Sequence, residues 1–342
     1  MKKILVVTLG LFSAFSLASC GKRKENKYGY EGKGVIKETI NYQARTGAMG
    51  NITLRAYLKT DSIIDEKGNL LFEYDSYIDE DENWELSSKV EYKYDNDGNK
   101  ISEETFRISS ADGEFKIYYK TEYEYEEGRL KTVTNYMTKK YDTSYTKESV
   151  DTYTYDDNGN LLMTLKIYTD EFKAYQDYNN NNYKVIYEYD NNSLKVKTHN
   201  VEYEKGWEPT VKEVYTRDSE DRIGVKESYY YRDDETGFEK SSKTEYTYDS
   251  KGNNSGILRY EPTDDGSDWK LEQKVEYTYN SKNKETNIVA FYYVSGNWVK
   301  SNEEKFEYNK NGDETSYVAT IFRENNKTIQ SRKRESKYTY YK

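Results

Sequence analysis

The chain of 342 residues is poor in the residues that most often build catalytic and metal sites. It contains one cysteine, one histidine and two prolines. The single cysteine, Cys20, excludes an intramolecular disulfide and any cluster of cysteine ligands for a metal. His199 lies in a polar alternating stretch, where we expect an exposed strand residue rather than a catalytic or zinc-binding group. The sequence therefore predicts no catalytic site, no metal site and no cofactor.

The chain also has fewer basic than acidic residues. Lysine and arginine number 52 against 62 aspartate and glutamate residues, so the formal net charge is −10. Nucleic-acid backbones bind to basic surfaces, because each phosphate contact needs a cation. We therefore expect no nucleic-acid partner and interpret the acidic balance as a feature that keeps the protein soluble.

Long apolar runs are missing except near the start of the chain. The run from Ile4 to Phe15 follows Lys2 and Lys3 and is too short to span a bilayer. The small-residue stretch Leu17-Ala18-Ser19-Cys20 comes directly after it. This order of basic, apolar and small residues is typical of a secretory signal peptide.

The same tetrapeptide resembles the bacterial lipobox, in which the cysteine becomes the lipidated first residue of the mature chain. By that resemblance, residues 1–19 are a lipoprotein signal peptide and residues 20–27 are a lipid-anchored tether. The membrane partner is then reached through lipid on Cys20. Gly21 stands where the enterobacterial sorting rule would place Asp to retain a lipoprotein, so the resemblance implies the bacterial outer membrane or cell surface. The alternative is an ordinary signal peptide with an incidental cysteine.

Tyrosine, in contrast, is abundant, with 40 residues in the chain. The stretch KVEYKYDNDGNK shows why, because Tyr92 and Tyr94 alternate with charged residues and predict a strand with an aromatic face. We expect this strand to begin at Trp84. The turn Asp95-Asn96-Asp97-Gly98 follows, with Gly98 at a position that needs positive φ. The next strand is predicted from Lys100 to about Ile108.

Degraded copies of this unit recur along the chain with a period of about 31 residues, which indicates a repeat architecture. We call the second aromatic of each copy its anchor. The anchors are assigned to Tyr30, Ile64, Tyr94, Tyr125, Tyr155, Tyr189, Arg217, Tyr248, Tyr279, Tyr308 and Tyr340. Residues 28–342 therefore form one tyrosine-rich array of β-hairpins, and each unit contributes two strands and two turns.

All four tryptophans lie at the same place in the repeat, ten residues before an anchor: Trp84, Trp207, Trp269 and Trp298. Because that spacing is even, we expect each tryptophan to share a face with its anchor. Aromatic side chains of this kind suit surfaces that hold sugars or peptides, so the four tryptophans are the candidate ligand-binding residues. The alternative is that the aromatic stripe is simply the buried face of the sheet.

The turn pattern resembles the YD (RHS-type) repeats of bacterial surface and toxin-delivery proteins. The best match is Tyr155-Asp156-Asp157-Asn158-Gly159-Asn160-Leu161. The resemblance implies hairpins that pair into a long spiralling sheet, which can form a hollow shell. Two features depart from that family: the spacing is longer, and the repeats continue to Tyr340 and Tyr341, which leaves no room for a C-terminal toxin.

We therefore predict an all-β protein, an antiparallel β-hairpin meander of about twenty strands. The meander should curl into an elongated or spiralling sheet with its tryptophan and tyrosine face inside, because a flat aromatic face and open edges would aggregate.

For function, the sequence favours a non-catalytic binding or adhesion module of the cell envelope, with a glycan or protein ligand. A glycan hydrolase that uses paired acids and a purely structural envelope protein are the alternatives. The acidic pairs include Asp156-Asp157 and Asp264-Asp265, which recur at turn positions. A catalytic site should break the repeat. The largest break, Tyr175 to Tyr183, is rich in asparagine, and we interpret it as a lengthened loop.

Overall fold

A computed structural model of the protein describes residues 28, 30, 32–46, 52–79, 81–110, 112–138, 144–175, 181–322 and 328–341. The predicted signal peptide, residues 1–19, and the predicted tether with Cys20, residues 20–27, lie outside the described residues. Both therefore stay predictions.

Twenty strands and one short helix, α1 (Asp170–Tyr175), make up the described chain. The first ten strands are β1 Gly34–Thr46, β2 Ile52–Asp65, β3 Leu70–Ile78, β4 Trp84–Tyr94, β5 Lys100–Ile108, β6 Phe115–Glu126, β7 Arg129–Thr138, β8 Tyr145–Tyr155, β9 Leu161–Tyr168 and β10 Tyr183–Asp190. The other ten are β11 Ser193–Tyr203, β12 Gly206–Arg217, β13 Ile223–Asp233, β14 Gly237–Tyr248, β15 Asn254–Pro262, β16 Trp269–Tyr279, β17 Glu285–Val294, β18 Asn297–Tyr308, β19 Glu314–Phe322 and β20 Thr328–Tyr341. No helix in these ranges is both long and apolar enough to cross a membrane.

Every strand pairs antiparallel with the next one in the chain, and the last strand pairs with the first. The β1–β20 ladder runs from Gly34 opposite Tyr341 to Gln43 opposite Arg332. The all-β class and the antiparallel meander of about twenty strands are confirmed. The expected elongated or spiralling sheet is not confirmed, because the ladder between β1 and β20 closes the sheet into a barrel. Closure pairs both strands that would otherwise present unpaired backbone groups at an edge.

The predicted repeat unit is confirmed in detail by β4, β5 and the turn between them. The Asp95 carboxylate accepts hydrogen bonds from the backbone N–H groups of Asp97 (3.0 Å) and Asn99 (2.8 Å) and from the Asn99 side chain (2.9 Å). Gly98 has the expected positive φ of 87°. The Asn99 side chain and the backbone N–H groups around the turn lower the pKa of Asp95, so this carboxylate is ionised and braces the turn.

From β4 onward, the anchor ties its strand to the start of the strand before it. The Tyr94 hydroxyl donates to the Leu70 carbonyl at 2.9 Å. The β3–β4 ladder begins only with Phe72 opposite Glu91, so the tyrosine adds a hydrogen bond beyond the last backbone pair. The same bond is made by Tyr125, Tyr155, Tyr189, Tyr248, Tyr279, Tyr308 and Tyr338, and by the Arg217 guanidinium. The last anchor is thus Tyr338 rather than Tyr340.

A β-bulge lies seven residues before the anchor in nine of the ten even-numbered strands, β10 being the exception. In β4 the extra residue is Ser87: Ser88 lies opposite Asp75, and Leu86 lies opposite Ser76. The Ser87 hydroxyl donates to the Asp75 carbonyl at 3.0 Å. The equivalent extra residues are Tyr57, Tyr118, Glu148, Thr210, Ser241, Glu272, Ser301 and Ser331.

The bulges separate the two kinds of aromatic residue. One extra residue shifts the alternation of side chains by one position, so residues on either side of it change faces. Trp84 and Tyr94 therefore lie on opposite faces of the sheet. The expectation that tryptophan and anchor share a face is wrong, and no closure of the sheet can place both inside. We call the two surfaces the tryptophan face and the tyrosine face.

Among the described residues, buried apolar side chains form small clusters on the single layer of sheet. On the tyrosine face, Ile257, Val275 and Ala290 form a buried cluster. On the tryptophan face, Tyr28 covers a cluster around Ile63 and stacks on Tyr74 with ring centres 4.3 Å apart. The hydroxyl of Tyr28 also bonds the buried Asp61 carboxylate. With so little apolar core, the backbone ladder and the anchor hydrogen bonds carry much of the stability.

Replacing an anchor hydroxyl tests this role. In Tyr248→Phe the Ile223 carbonyl loses the hydroxyl that bonds it at 2.8 Å, and we expect the free energy of unfolding to fall by about 1 kcal/mol. Tyr77, which is 53% exposed, provides the control, because Tyr77→Phe should change stability little. Denaturant titration of both variants measures the difference, and equal effects at the two positions would contradict a special role for the anchor.

Candidate functional site

The four tryptophans lie at one end of the barrel. Even-numbered strands run in the same direction through the meander, so the residues at their starts share one end. Trp84 and Trp269 begin β4 and β16, and Trp207 and Trp298 are the second residues of β12 and β18. We call this set the tryptophan rim: Trp84, Phe115, Tyr145, Trp207, Phe238, Trp269 and Trp298. All seven side chains are half-buried, so each offers part of a ring to a ligand.

The rim residues do not converge on one pocket. Trp269 and Trp298 are two strands apart, which corresponds to about 10 Å along the wall of a sheet. Trp84 and Trp207 stand on strands further round the ring. The tryptophan rim is thus a ring of separate aromatic positions on one face, and the anchor tyrosines lie on the other.

A lysine ammonium lies over the ring of most rim residues. The Nζ atom is 4.5 Å from the Trp207 ring centre in Lys184, 5.2 Å from Trp269 in Lys240, and 5.2 Å from Trp298 in Lys274. Three further pairs follow the same pattern: Lys89 with Phe115, Lys120 with Tyr145, and Lys212 with Phe238. Each cation–π contact stabilises the rim by roughly 0.5–1 kcal/mol at an exposed site.

Several of these lysines also pair with a glutamate two residues along the strand. The N–O distances are 2.5 Å for Lys89–Glu91, 2.5 Å for Lys120–Glu122 and 2.8 Å for Lys274–Glu276. Hydrogen bonds from Lys120 and from the Tyr136 hydroxyl lower the pKa of Glu122. The tryptophan face therefore repeats a unit of aromatic ring, cation and carboxylate. Such a unit can stack on an apolar ligand surface and hydrogen-bond to neighbouring hydroxyl or amide groups.

The tyrosine face holds a polar cluster that the sequence interpretation missed. Glu213 accepts from Lys197 and Lys226, each at 3.2 Å, and from the Tyr215 hydroxyl at 3.0 Å. Burial opposes ionisation of Glu213, but the two lysines outweigh it and lower its pKa. His199 lies 3.9 Å from the same carboxylate, and burial lowers its pKa. His199 is therefore half-buried, not the exposed residue expected.

A second half-buried carboxyl group, Asp151, lies beside the break in the repeat. Asp151 pairs with Lys166 at 3.5 Å and accepts from Asn135 at 3.0 Å, while burial raises its pKa and that of Glu148. The signal in the sequence was a charged residue four positions before the anchor. Asp151 and Glu213 occupy that position, which Val90 and Val275 fill elsewhere.

A short helix leads into the break. Helix α1 follows β9, and its buried Phe172 stacks on Tyr168 with ring centres 5.6 Å apart. Residues 176–180 lie outside the described residues. Asn182 is buried, accepts from the Tyr168 backbone at 2.8 Å and donates to Glu202 at 2.6 Å. These contacts attach the insertion to the neighbouring strands.

The paired acids singled out from the sequence brace turns. Asp156 accepts from the Asn160 backbone at 2.7 Å and from its side chain at 2.8 Å. The Thr263 hydroxyl, with Ser267, lowers the pKa of Asp265 to about 2. A general acid for glycoside hydrolysis needs a raised pKa, and these two carboxyl groups have lowered ones. Among the described residues, no group of three or more metal-ligating side chains comes together.

The sequence matches no protein-family model and no curated protein. Among solved structures, a porin-like protein from Bacteroides uniformis is 11% identical, covers 90% of this chain and 96% of that one, and has a TM-score of 0.35. A protein of unknown function from Bacteroides fragilis is 15% identical, covers 46% and 89%, and has a TM-score of 0.25. A TcdB2–TccC3 structure without its hypervariable C-terminal region is 12% identical, covers 80% and 20%, and has a TM-score of 0.25. These scores assign neither a family nor a function.

Alkaline pH should unfold the protein through its tyrosines. Burial raises the pKa of Tyr136, Tyr145, Tyr260, Tyr279 and Tyr338 to about 12. In the unfolded chain these groups ionise near pH 10. Because the folded pKa is the higher one, their contribution to stability is complete below pH 10 and is lost as pH rises towards 12.

Tyrosinate absorbance and circular dichroism, followed together through this range, measure the effect. We expect a cooperative late rise in tyrosinate that coincides with loss of β-structure. Ionisation of nearly all tyrosines near pH 10 with the β-spectrum intact would contradict it.

Proposed function

We propose that this protein is a non-catalytic binding or adhesion module of the bacterial cell envelope, with a glycan or protein ligand. The tryptophan rim is the observation that supports the proposal. It repeats a half-buried aromatic ring beside a lysine around one end of a closed barrel, and several of those lysines pair with a glutamate. Separate, similar positions suit a ligand that is itself repetitive, because several weak contacts made together give high avidity.

A glycan is the ligand that this chemistry fits best. Sugar rings present apolar C–H faces that stack on aromatic rings, and their hydroxyl groups hydrogen-bond to lysine and glutamate. Trp298 illustrates the arrangement: Tyr293 packs beside it with ring centres 5.0 Å apart, and Lys274 reaches its ring.

Single replacements at the rim test the proposal. Trp207→Ala, Trp269→Ala and Trp298→Ala should each weaken capture of the ligand found on a glycan array or in a pull-down from cell-surface extracts. A contact worth about 1–2 kcal/mol corresponds to a loss of roughly fivefold to thirtyfold. Phe238→Ala is the matched control for stability, because Phe238 occupies the same repeat position under Lys212. Thermal denaturation of all four variants separates lost packing from lost contact.

Three outcomes are distinct. Loss of capture with stability no lower than in Phe238→Ala supports a ligand contact. Loss of stability alone at every tryptophan shows that the rim is structural and favours a purely structural envelope protein. Turnover of a polysaccharide by the purified protein would contradict a non-catalytic module.

We further propose that lipid on Cys20 anchors the protein at the outer membrane or cell surface. The support is the lipobox resemblance of residues 17–20, together with the position of Cys20 as the only cysteine. The Cys20→Ser chain should leave the membrane fraction and fail to incorporate labelled palmitate. A Cys20→Ser chain that is still labelled and membrane-bound would refute this anchor.

A further inference from the structure

Arg217 breaks the repeat at its most regular position. Eight anchors described above donate a tyrosine hydroxyl to a carbonyl at the start of the preceding strand. Arg217 reaches the corresponding Leu194 carbonyl with a guanidinium instead. Of these nine residues it is the one that brings a permanent positive charge to this end of the barrel.

The guanidinium is incompletely paired. Its Nη1 donates to the Asp221 carbonyl at 3.1 Å, and its Nη2 makes a long contact of 3.4 Å to the Leu194 carbonyl. Its Nε is buried and has no hydrogen-bond partner. Within the described part of the chain, Arg217 makes no ion pair. A buried donor without an acceptor is unfavourable, and an unmodified repeat would place a tyrosine here without that cost.

Arg217 lines a crevice of about 500 Å³ at the end of the barrel opposite the tryptophan rim. Tyr215 and Thr216 form the wall beside it, and Ser193 and Lys195 of β11 lie across from them. An equivalent crevice of about 330 Å³ lies beside the ordinary anchor Tyr155, where Tyr153 and Thr154 form the wall. The repeat thus makes a similar concavity beside both anchors, and the one where arginine replaces the anchor tyrosine is the larger.

Charges around the crevice restrict what it can hold. Arg217 and Lys195 supply two positive charges, and Asp190 and Asp221 supply two negative ones. Both carboxylate oxygens of Asp221 lie 2.7 Å from the Ser193 hydroxyl, which holds this side chain against the crevice wall. A polyanion would meet the two carboxylates. A single negative charge placed at the guanidinium does not need to approach them closely.

We propose that this crevice binds a monoanionic oxyanion, a carboxylate or a sulfate ester carried by a polar molecule such as an acidic sugar. Two ligand oxygens would accept hydrogen bonds from Nε and Nη2 along one edge of the guanidinium. This is the two-bond geometry that arginine forms with carboxylates. A small rotation of the Arg217 side chain would break the long contact between Nη2 and the Leu194 carbonyl. The ligand oxygens would replace that carbonyl and also accept from the buried Nε. The site is separate from the tryptophan rim and holds whether or not the rim binds a ligand.

The test titrates the full mature chain with sodium glucuronate, sodium methyl sulfate or sodium phosphate at constant ionic strength. The Nε–H resonance of Arg217 in an arginine-labelled sample reports the contact directly. We expect a saturable shift with glucuronate or methyl sulfate. Arg217→Tyr, which restores the repeat, lacks this resonance, so its affinity is compared with that of wild type by isothermal titration calorimetry. It should bind about tenfold more weakly or worse, with thermal stability unchanged or higher.

Arg129→Gln is the matched control, because Arg129 lines the equivalent crevice beside Tyr155, and it should leave binding unchanged. Equal affinity in wild type and Arg217→Tyr would overturn the proposal. So would the absence of a saturable shift with both monoanions, or binding of phosphate alone. Trp298→Ala should leave this binding intact, so the outcome is independent of the rim.

Discussion

Backbone pairing between the first and last strands is the interaction on which the rest of the molecule depends. The sheet is one layer thick, and its apolar clusters contain only a few buried side chains. A layer of this kind with two free edges would expose unpaired N–H and C=O groups and invite association with other chains. The β1–β20 ladder removes both edges, and it also converts a linear repeat into a ring with two distinct rims.

A second constraint, the bulge placed seven positions before the anchor, gives the barrel two chemically different surfaces. After the bulge, tyrosines and small aliphatic residues share one face, and their hydroxyls extend the backbone ladders. Before it, the tryptophans take the other face, where lysines reach their rings. The bulge therefore assigns structural tyrosines and half-buried tryptophans to different surfaces with one inserted residue, such as Ser87 in β4. The tryptophan surface repeats ring, cation and carboxylate together along its rim.

The strands and turns could be predicted from the sequence, whereas the bulges and the pairing of distant strands could not. Alternation and turn chemistry predicted β4, β5 and the Asp95 turn, because those signals act within a few residues. The bulge has no fixed residue type, being Ser87 in one strand and Glu272 in another, so the change of face was invisible. Closure depends on pairing between residues about 300 positions apart in the chain. A single sequence carries no signal for contacts over that separation. The sequence signal for the crevice was Arg217, which replaces tyrosine at an anchor position. The asparagine-rich insertion was the larger departure from the repeat.

Closure is tested most directly by a disulfide across the β1–β20 seam. Thr39 lies opposite Ser336, and their hydroxyl oxygens are 3.2 Å apart. In a Cys20→Ser chain, the Thr39→Cys and Ser336→Cys replacements should oxidise to an intramolecular bond in the monomer, because the two side chains already meet. Each single replacement provides the control. A double variant that stays reduced, or that cross-links only between molecules, would show that the sheet is open and would contradict the closed barrel.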